Sequence, residues 1–141
     1  MKPLFTGEDI KKLIPQRPPI MMVDTFWEAT DTDARTGLTI QHDNYFVQNG
    51  KFREPGLIEH IAQSASAFAG YGYFKQGKPA PIGYIGEIKK CAIHRLPAAG
   101  ETLQTRIHIL SEVMGVTLLS AETESNGEVV VESRMKISIQ A

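Results

Sequence analysis

Glu59 is the carboxylate in this sequence whose surroundings invite proton chemistry. It sits in Pro55-Gly56-Leu57-Ile58-Glu59-His60-Ile61-Ala62-Gln63, among mostly apolar or small neighbours. Burial in such a run would raise its pKa and make it a proton donor near neutral pH. Gln63 is four residues on, so the two side chains share a helical face and can hydrogen-bond. A helix start also offers N–H groups for a carbonyl oxygen such as that of a thioester. The competing reading is that Glu59 and His60 mark the wet side of the helix start.

Other chemistries find less support. The histidines are His42, His60, His94 and His108, and none falls at a metal-ligand spacing. Cys91 lies three residues before His94, but in a strand pattern. No glycine-rich turn precedes a helix, and Ser64 and Ser66 lack a nucleophile elbow. Lys89, Lys90, His94 and Arg95 form a basic cluster. It reads as a solvated strand surface or, alternatively, as a landing patch for an acidic partner.

The elements that must position Glu59 follow from hydrophobic periodicity. Thr6 and Asp9 have capping-box spacing ahead of a short helix with Ile10, Leu13 and Ile14 on one face. Strands are expected over residues 20–27 and 34–41, then a polar loop over 42–54. Leu57, Ile58, Ile61, Ala65 and Phe68 recur at helical spacing, so a helix is expected from Pro55 to about Tyr73. Between Ala62 and Gly70 only Gln63 and Phe68 are large, which predicts a buried helix approached closely by its neighbours. Gly70 and Gly72 are expected to end it.

Beyond the helix the period is two. A strand or pair of strands over 82–95 is expected to bend at Gly83 and Gly86, and Pro97 and Gly100 make a turn. Leu103, Thr105, Ile107 and Ile109 share one face of the next strand. Another strand is expected over 113–124. Asn126-Gly127 is a hairpin signal. After it, Val129, Val131, Met135, Ile137 and Ile139 face one way. This order predicts an antiparallel six-stranded sheet curved round one helix. One helix cannot cover both faces, so the outer face and the sheet edge are expected to invite a partner subunit.

Composition sets the frame. The chain has 141 residues, 42% hydrophobic, with net charge −1 and a single cysteine. One domain with its own core is expected. No basic excess points to nucleic acid. The lone cysteine excludes an intrachain disulfide and fits a reducing compartment. No apolar leader segment follows Met1 and no run approaches membrane-span length, so a soluble cytoplasmic protein is expected.

Three segments, taken in order, resemble one family. Ile14-Pro15-Gln16-Arg17-Pro18-Pro19-Ile20-Met21-Met22-Val23-Asp24 is similar to the N-terminal motif of 3-hydroxyacyl-[acyl carrier protein] dehydratases. That motif runs Leu-Pro-His-Arg, an aromatic and Pro, then apolar residues and Val-Asp. Ile58-Glu59-His60-Ile61-Ala62-Gln63 resembles the family's Ile-Glu-Ala-Met-Ala-Gln. Gly86-Glu87-Ile88-Lys89-Lys90-Cys91-Ala92-Ile93, followed by Pro97 and Gly100, resembles its later strand and Pro-Gly turn.

The resemblance implies an α+β hotdog fold, a curved antiparallel sheet round one long helix, as a single domain over residues 1–141. It implies a chemistry in which a His takes a C2 proton and a helix carboxylate from the other subunit protonates the leaving hydroxyl. Glu59 matches that carboxylate, and Gly56, Leu57 and Gln63 are the implied substrate-binding residues. The family keeps His-Phe-Pro before the helix. Here Gly50-Lys51-Phe52-Arg53 stands there in a shorter loop, and neither His42 nor His60 matches the position. This is closer to a divergent dehydratase-like branch that accompanies a catalytic dehydratase in aryl polyene and related pigment pathways.

Two functions therefore stand side by side. One is a lyase in fatty-acid or polyene-type synthesis, with Glu59 as acid. The other is a non-catalytic subunit that binds acyl carrier protein or a catalytic hotdog dehydratase partner. A hotdog thioesterase is a weaker third. No metal or cofactor is implied, since the substrate rides on the phosphopantetheine of acyl carrier protein. A homodimer or larger oligomer is implied, with sheets joined edge to edge and the acyl tunnel at the interface.

Overall fold

The long helix α1 spans Glu54–Lys75 in the computed structural model, which describes residues 2–140. Pro55 stands in its first turn, where a missing N–H breaks no helical bond. The small residues are there because the helix is enclosed. Ser64, Ala65, Ser66 and Ala67 are all buried. Gly70 does not end the helix, which runs past it to Lys75. A Cβ at Gly70 would collide with the backbone carbonyl of Leu13, so this glycine marks where the N-terminal segment crosses the helix.

That segment begins with β1 (Phe5–Thr6) and a 3-10 helix, Gly7–Lys12. The expected short helix is thus present as a 3-10 helix, but the capping box is not formed, since the Thr6 side chain makes no cap bond. Ile10, Leu13 and Ile14 are nonetheless fully buried on one face, as the spacing required. Regular strand structure starts at β2 (Thr25–Ala29) rather than at Ile20. Residues 20–22 are tied to the helix instead. The Met22 N–H donates to Gln63 Oε1 at 2.6 Å, and Gln63 Nε2 donates to the Ile20 carbonyl at 2.9 Å. A side chain 41 residues away takes the bonds a neighbouring strand would have taken.

Strand β3 is Asp33–Thr39. The expected loop then contains a small hairpin, β4 (Val47–Gln48) and β5 (Lys51–Phe52). After the helix come β6 (Ile82–Ile93), β7 (Thr102–Val113), β8 (Val116–Ser125) and β9 (Glu128–Gln140). Seven strands form one sheet in the order β1-β2-β3-β7-β8-β9-β6, and every pairing is antiparallel. The seventh is β1, too short to show a period. The sheet wraps its inner face round α1, the hotdog arrangement.

Two register details departed from the expected alternation. Thr123 pairs with Val131 and Glu124 with Val129, so Val130 is the extra residue of a bulge. Val130 and Val131 are both buried, and Val129 is only half-buried. The β7–β8 turn falls at Met114-Gly115, both at positive φ (52° and 80°). A two-residue hairpin needs that twist, but Asn, Asp or Gly usually supplies it. Met114 hid the turn.

The outer face carries paired charges. Arg106 lies directly opposite Glu122, Arg35 pairs with Glu28, and His108 with Asp33. A partner seated there would have to desolvate these charges. The edge is different. Strand β6 pairs only with β9, and Ile82, Tyr84, Ile85 and Ile88 on it are exposed.

Candidate active site

Glu59 lies in the second turn of α1 and is half-buried rather than buried. Gln63, one turn on, donates from Nε2 to Glu59 Oε2 at 3.1 Å. The amide oxygen of Gln63 is held by Met22 and its nitrogen is shared with Ile20, so the whole side chain is fixed. Gln63 thereby aims the carboxylate. The pair lines a cavity of about 230 Å³ with Gln16, Ser66, Tyr84 and Ile137. Gly83 and Ile85 place this cavity at the open β6 edge.

A larger cavity of about 370 Å³ lies between the other end of α1 and the sheet, among Phe68, Tyr73, Ile107, Leu119 and Ile139. Its carboxylates, Asp31 and Glu112, are both exposed. The smaller cavity is the better candidate for chemistry, because only there does a buried donor orient a carboxylate.

The helix start is less open than the spacing suggested. The N–H groups of Gly56 and Leu57 both point to the Arg53 carbonyl, at 2.9 and 3.3 Å. Gly56 is wedged between aromatic rings, where a Cβ would come within 2.6 Å of Phe46 and 2.7 Å of Phe52. Leu57 is fully buried in the core. Neither lines the cavity, so of the expected site residues the structure brings together Glu59 and Gln63.

His60 points away from Glu59 and is fully buried. Its Nδ1 is 2.7 Å from the Met22 carbonyl and its Nε2 is 2.7 Å from Thr105 Oγ1. A carbonyl can only accept, so Nδ1 carries the proton. In the neutral ring Nε2 then accepts from Thr105, which must in turn accept from Thr123, 2.7 Å away. Burial holds the His60 pKa below its ordinary value, against an opposing push from the Met22 carbonyl and Asp24. His60 is therefore a structural group.

This has a consequence for acid stability. The folded pKa is depressed, so the unfolded chain binds the proton more readily. Stability is full above the unfolded value of about 6.5 and declines as pH falls below it. The melting temperature should drop between about pH 7.5 and 5.5, and His60→Gln should flatten that slope. A slope that persists unchanged in the variant would assign it to another group.

The remaining histidines are also placed. His94 is 2.9 Å from Glu132, His108 is 3.0 Å from Asp33, and His42 is exposed. No histidine lines the Glu59 cavity. Among the described residues no group of His, Cys, Asp or Glu is arranged to hold a metal ion. The basic cluster is largely matched. Lys89 meets Glu87, and Arg95 forks onto Glu101 through two nitrogens at 3.1 and 2.9 Å. Hydrogen bonds from Arg95, Ser125 and the Ala98 N–H hold the Glu101 carboxyl at about 2, so this group is a latch for the 95–101 turn.

Comparison with known proteins decides the family. The model of the ApeP-like family, described as ApeP dehydratase, matches residues 8–140. This chain belongs to the ApeP-like dehydratase family. The ApeP-like chain is also 33% identical, over 96% of its length and 96% of the relative's, to the 3-hydroxyacyl-[acyl-carrier-protein] dehydratase FabZ of Clostridium botulinum (strain Loch Maree / Type A3). Among solved structures it resembles the dehydratase heterocomplex ApeI:P from Xenorhabdus doucetiae. There the TM-score is 0.86 at 15% identity, over 100% of this chain and 93% of the other. It also resembles the E. coli PaaI protein of the phenylacetic acid degradation operon, with TM-score 0.62 at 16% identity over 80% of each chain. At such identities these two likenesses speak for the shared fold alone.

Proposed function

We propose that this chain is a 3-hydroxyacyl-[acyl carrier protein] dehydratase-like protein of fatty-acid or polyene-type synthesis, with Glu59 as its proton donor. The observation that carries this reading is the Gln63-held Glu59 carboxylate in a cavity on the central helix of a dehydratase-family hotdog. In the reaction a base removes a proton from C2. The freed electron pair forms the C2=C3 bond as the C3–O bond breaks. Glu59 gives its proton to the departing hydroxyl, which leaves as water. Proton transfers suffice, so the reading calls for no metal or redox cofactor beyond the carrier's own phosphopantetheine. A cytoplasmic setting fits the lone cysteine, and among the described residues no helix is long and apolar enough to cross a membrane.

The missing base favours a second reading of the same site. Because no histidine lines the cavity and β6 is an open edge, the chain supplies half a site. A second subunit added along β6 brings the base. It is another copy or a catalytic hotdog dehydratase. A twelve-residue edge carrying four exposed apolar side chains is a template for strand pairing. In sedimentation at micromolar concentration the protein should therefore run as a dimer or larger. A monomer that stays monomeric when a catalytic dehydratase is added would remove this assembly and the half-site with it.

A further inference from the structure

We propose that Gln16 accepts a hydrogen bond from the C3 hydroxyl of the substrate and so turns the leaving oxygen toward Glu59. The inference rests on the reading of the Glu59 cavity as a 3-hydroxyacyl-thioester site.

Among the described residues two buried side-chain atoms lack a hydrogen-bond partner, Gln16 Oε1 and Arg95 Nε. Arg95 Nε still has Glu128 Oε1 at 3.7 Å, in an ion pair. For Gln16 Oε1 the fold supplies no donor, and Gln16 lines the cavity that holds Glu59. The segment that carries it is held firmly. Ile14 is fully buried, and the Arg17 guanidinium donates to the carbonyls of Ile14, Gln16 and Lys11 at 2.7, 2.9 and 3.3 Å. This clamp fixes the backbone on both sides of Gln16 and keeps its side chain at the cavity wall. A buried acceptor without a donor is costly. Methionine has nearly the same length and shape and would avoid that cost. The amide oxygen therefore awaits a donor from outside the chain.

The neighbouring amide is already used. Gln63 accepts from Met22 and donates to Ile20 and Glu59. The ligand must supply the donor. At the reacting end of a 3-hydroxyacyl thioester the carbonyl oxygen and the sulfur carry no hydrogen, and the C3 hydroxyl is the one O–H or N–H group. The first N–H of the carrier arm lies beyond the sulfur, on the far side of C1. The hydroxyl is also the group that Glu59 has to reach. Held to Gln16 Oε1 through its hydrogen, its oxygen keeps lone pairs free for the Glu59 proton. As the C3–O bond breaks and that proton is added, the water formed keeps its hydrogen bond to Gln16 until it leaves. The terminal torsion of glutamine is soft, so the amide oxygen can turn to meet the hydroxyl.

Calorimetric binding to the assembled full-length protein tests this with two probes, 3-hydroxydecanoyl-pantetheine and decanoyl-pantetheine, which lacks the hydroxyl. The wild type should favour the hydroxylated chain by about 10-fold, and Gln16→Met should reduce this to less than about 2-fold. Gln16→His, whose ring nitrogen can accept, should restore part of the preference. Gln16→Met should also keep or raise the melting temperature, because it removes a buried oxygen that has no partner; a merely structural glutamine would lose stability instead. A wild type that binds both chains equally, or a preference that survives in Gln16→Met, overturns the proposal and leaves the thioester site standing. Equal weakening of both chains in Gln16→Met assigns Gln16 to the carrier arm and also overturns it. A lowered melting temperature with the preference intact marks a structural residue and does the same. If neither chain binds the wild type, the reading of the cavity falls and the proposal falls with it.

Discussion

Glu59→Gln lowers dehydration of a 3-hydroxyacyl-[acyl carrier protein] by about 10²–10⁴-fold, the usual contribution of one general acid. The variant is close to isosteric. Its amide oxygen can still accept from Gln63 Nε2, so the contact seen at 3.1 Å need not be lost. What disappears is the proton for the leaving hydroxyl. The loss should therefore fall on kcat more than on KM. The assay is run on the protein alone and again with a catalytic hotdog dehydratase, because the cavity has no histidine of its own. Turnover only in the mixture, lost in Glu59→Gln, fits the half-site. Robust wild-type turnover that survives the substitution removes Glu59 from the chemistry. A wild type inactive in both settings leaves the binding-subunit function.

Gly70→Ala and Gly72→Ala, two residues apart on one helix, should move stability in opposite directions. At Gly70 an added Cβ meets the Leu13 backbone, which cannot swing aside like a side-chain end. Forcing the N-terminal segment off the helix should cost about 1–3 kcal/mol or more. At about 3–4 °C per kcal/mol for a chain of this size, the melting temperature should fall by roughly 3–12 °C. At Gly72 nothing lies within 4 Å of the new Cβ. There Ala should gain up to about 1 kcal/mol of helix propensity. Thermal unfolding of the two variants decides the matter. Equal effects of the same sign would show that backbone contact does not explain the small residues of α1.

The sequence by itself determined a sheet curved round one buried small-residue helix, and the Glu59–Gln63 pair. These are local or periodic. Residues four apart on a helix must meet, and alternation along β7 must put Leu103, Thr105 and Ile107 on one face. The Asn126-Gly127 turn was legible because its residues favour positive φ, as found. The Met114-Gly115 turn was not, because the fold imposed the same twist on a residue that does not announce it.

Tertiary structure alone decided the rest. Nothing near His60 in the chain says that Thr105 and Thr123 will surround it, yet that enclosure turns a possible base into a neutral strut. Gly70 reads as a helix stop until Leu13 is seen lying on it. The helix-start amides read as free until the Arg53 carbonyl takes them. Ser64 and Ser66 look alike in the sequence, and only packing sets one against Thr36 and the other in a cavity wall. The physical reason is the same each time. Hydrogen-bond satisfaction and steric contact depend on groups tens of residues away, and periodicity reports only which face a side chain occupies.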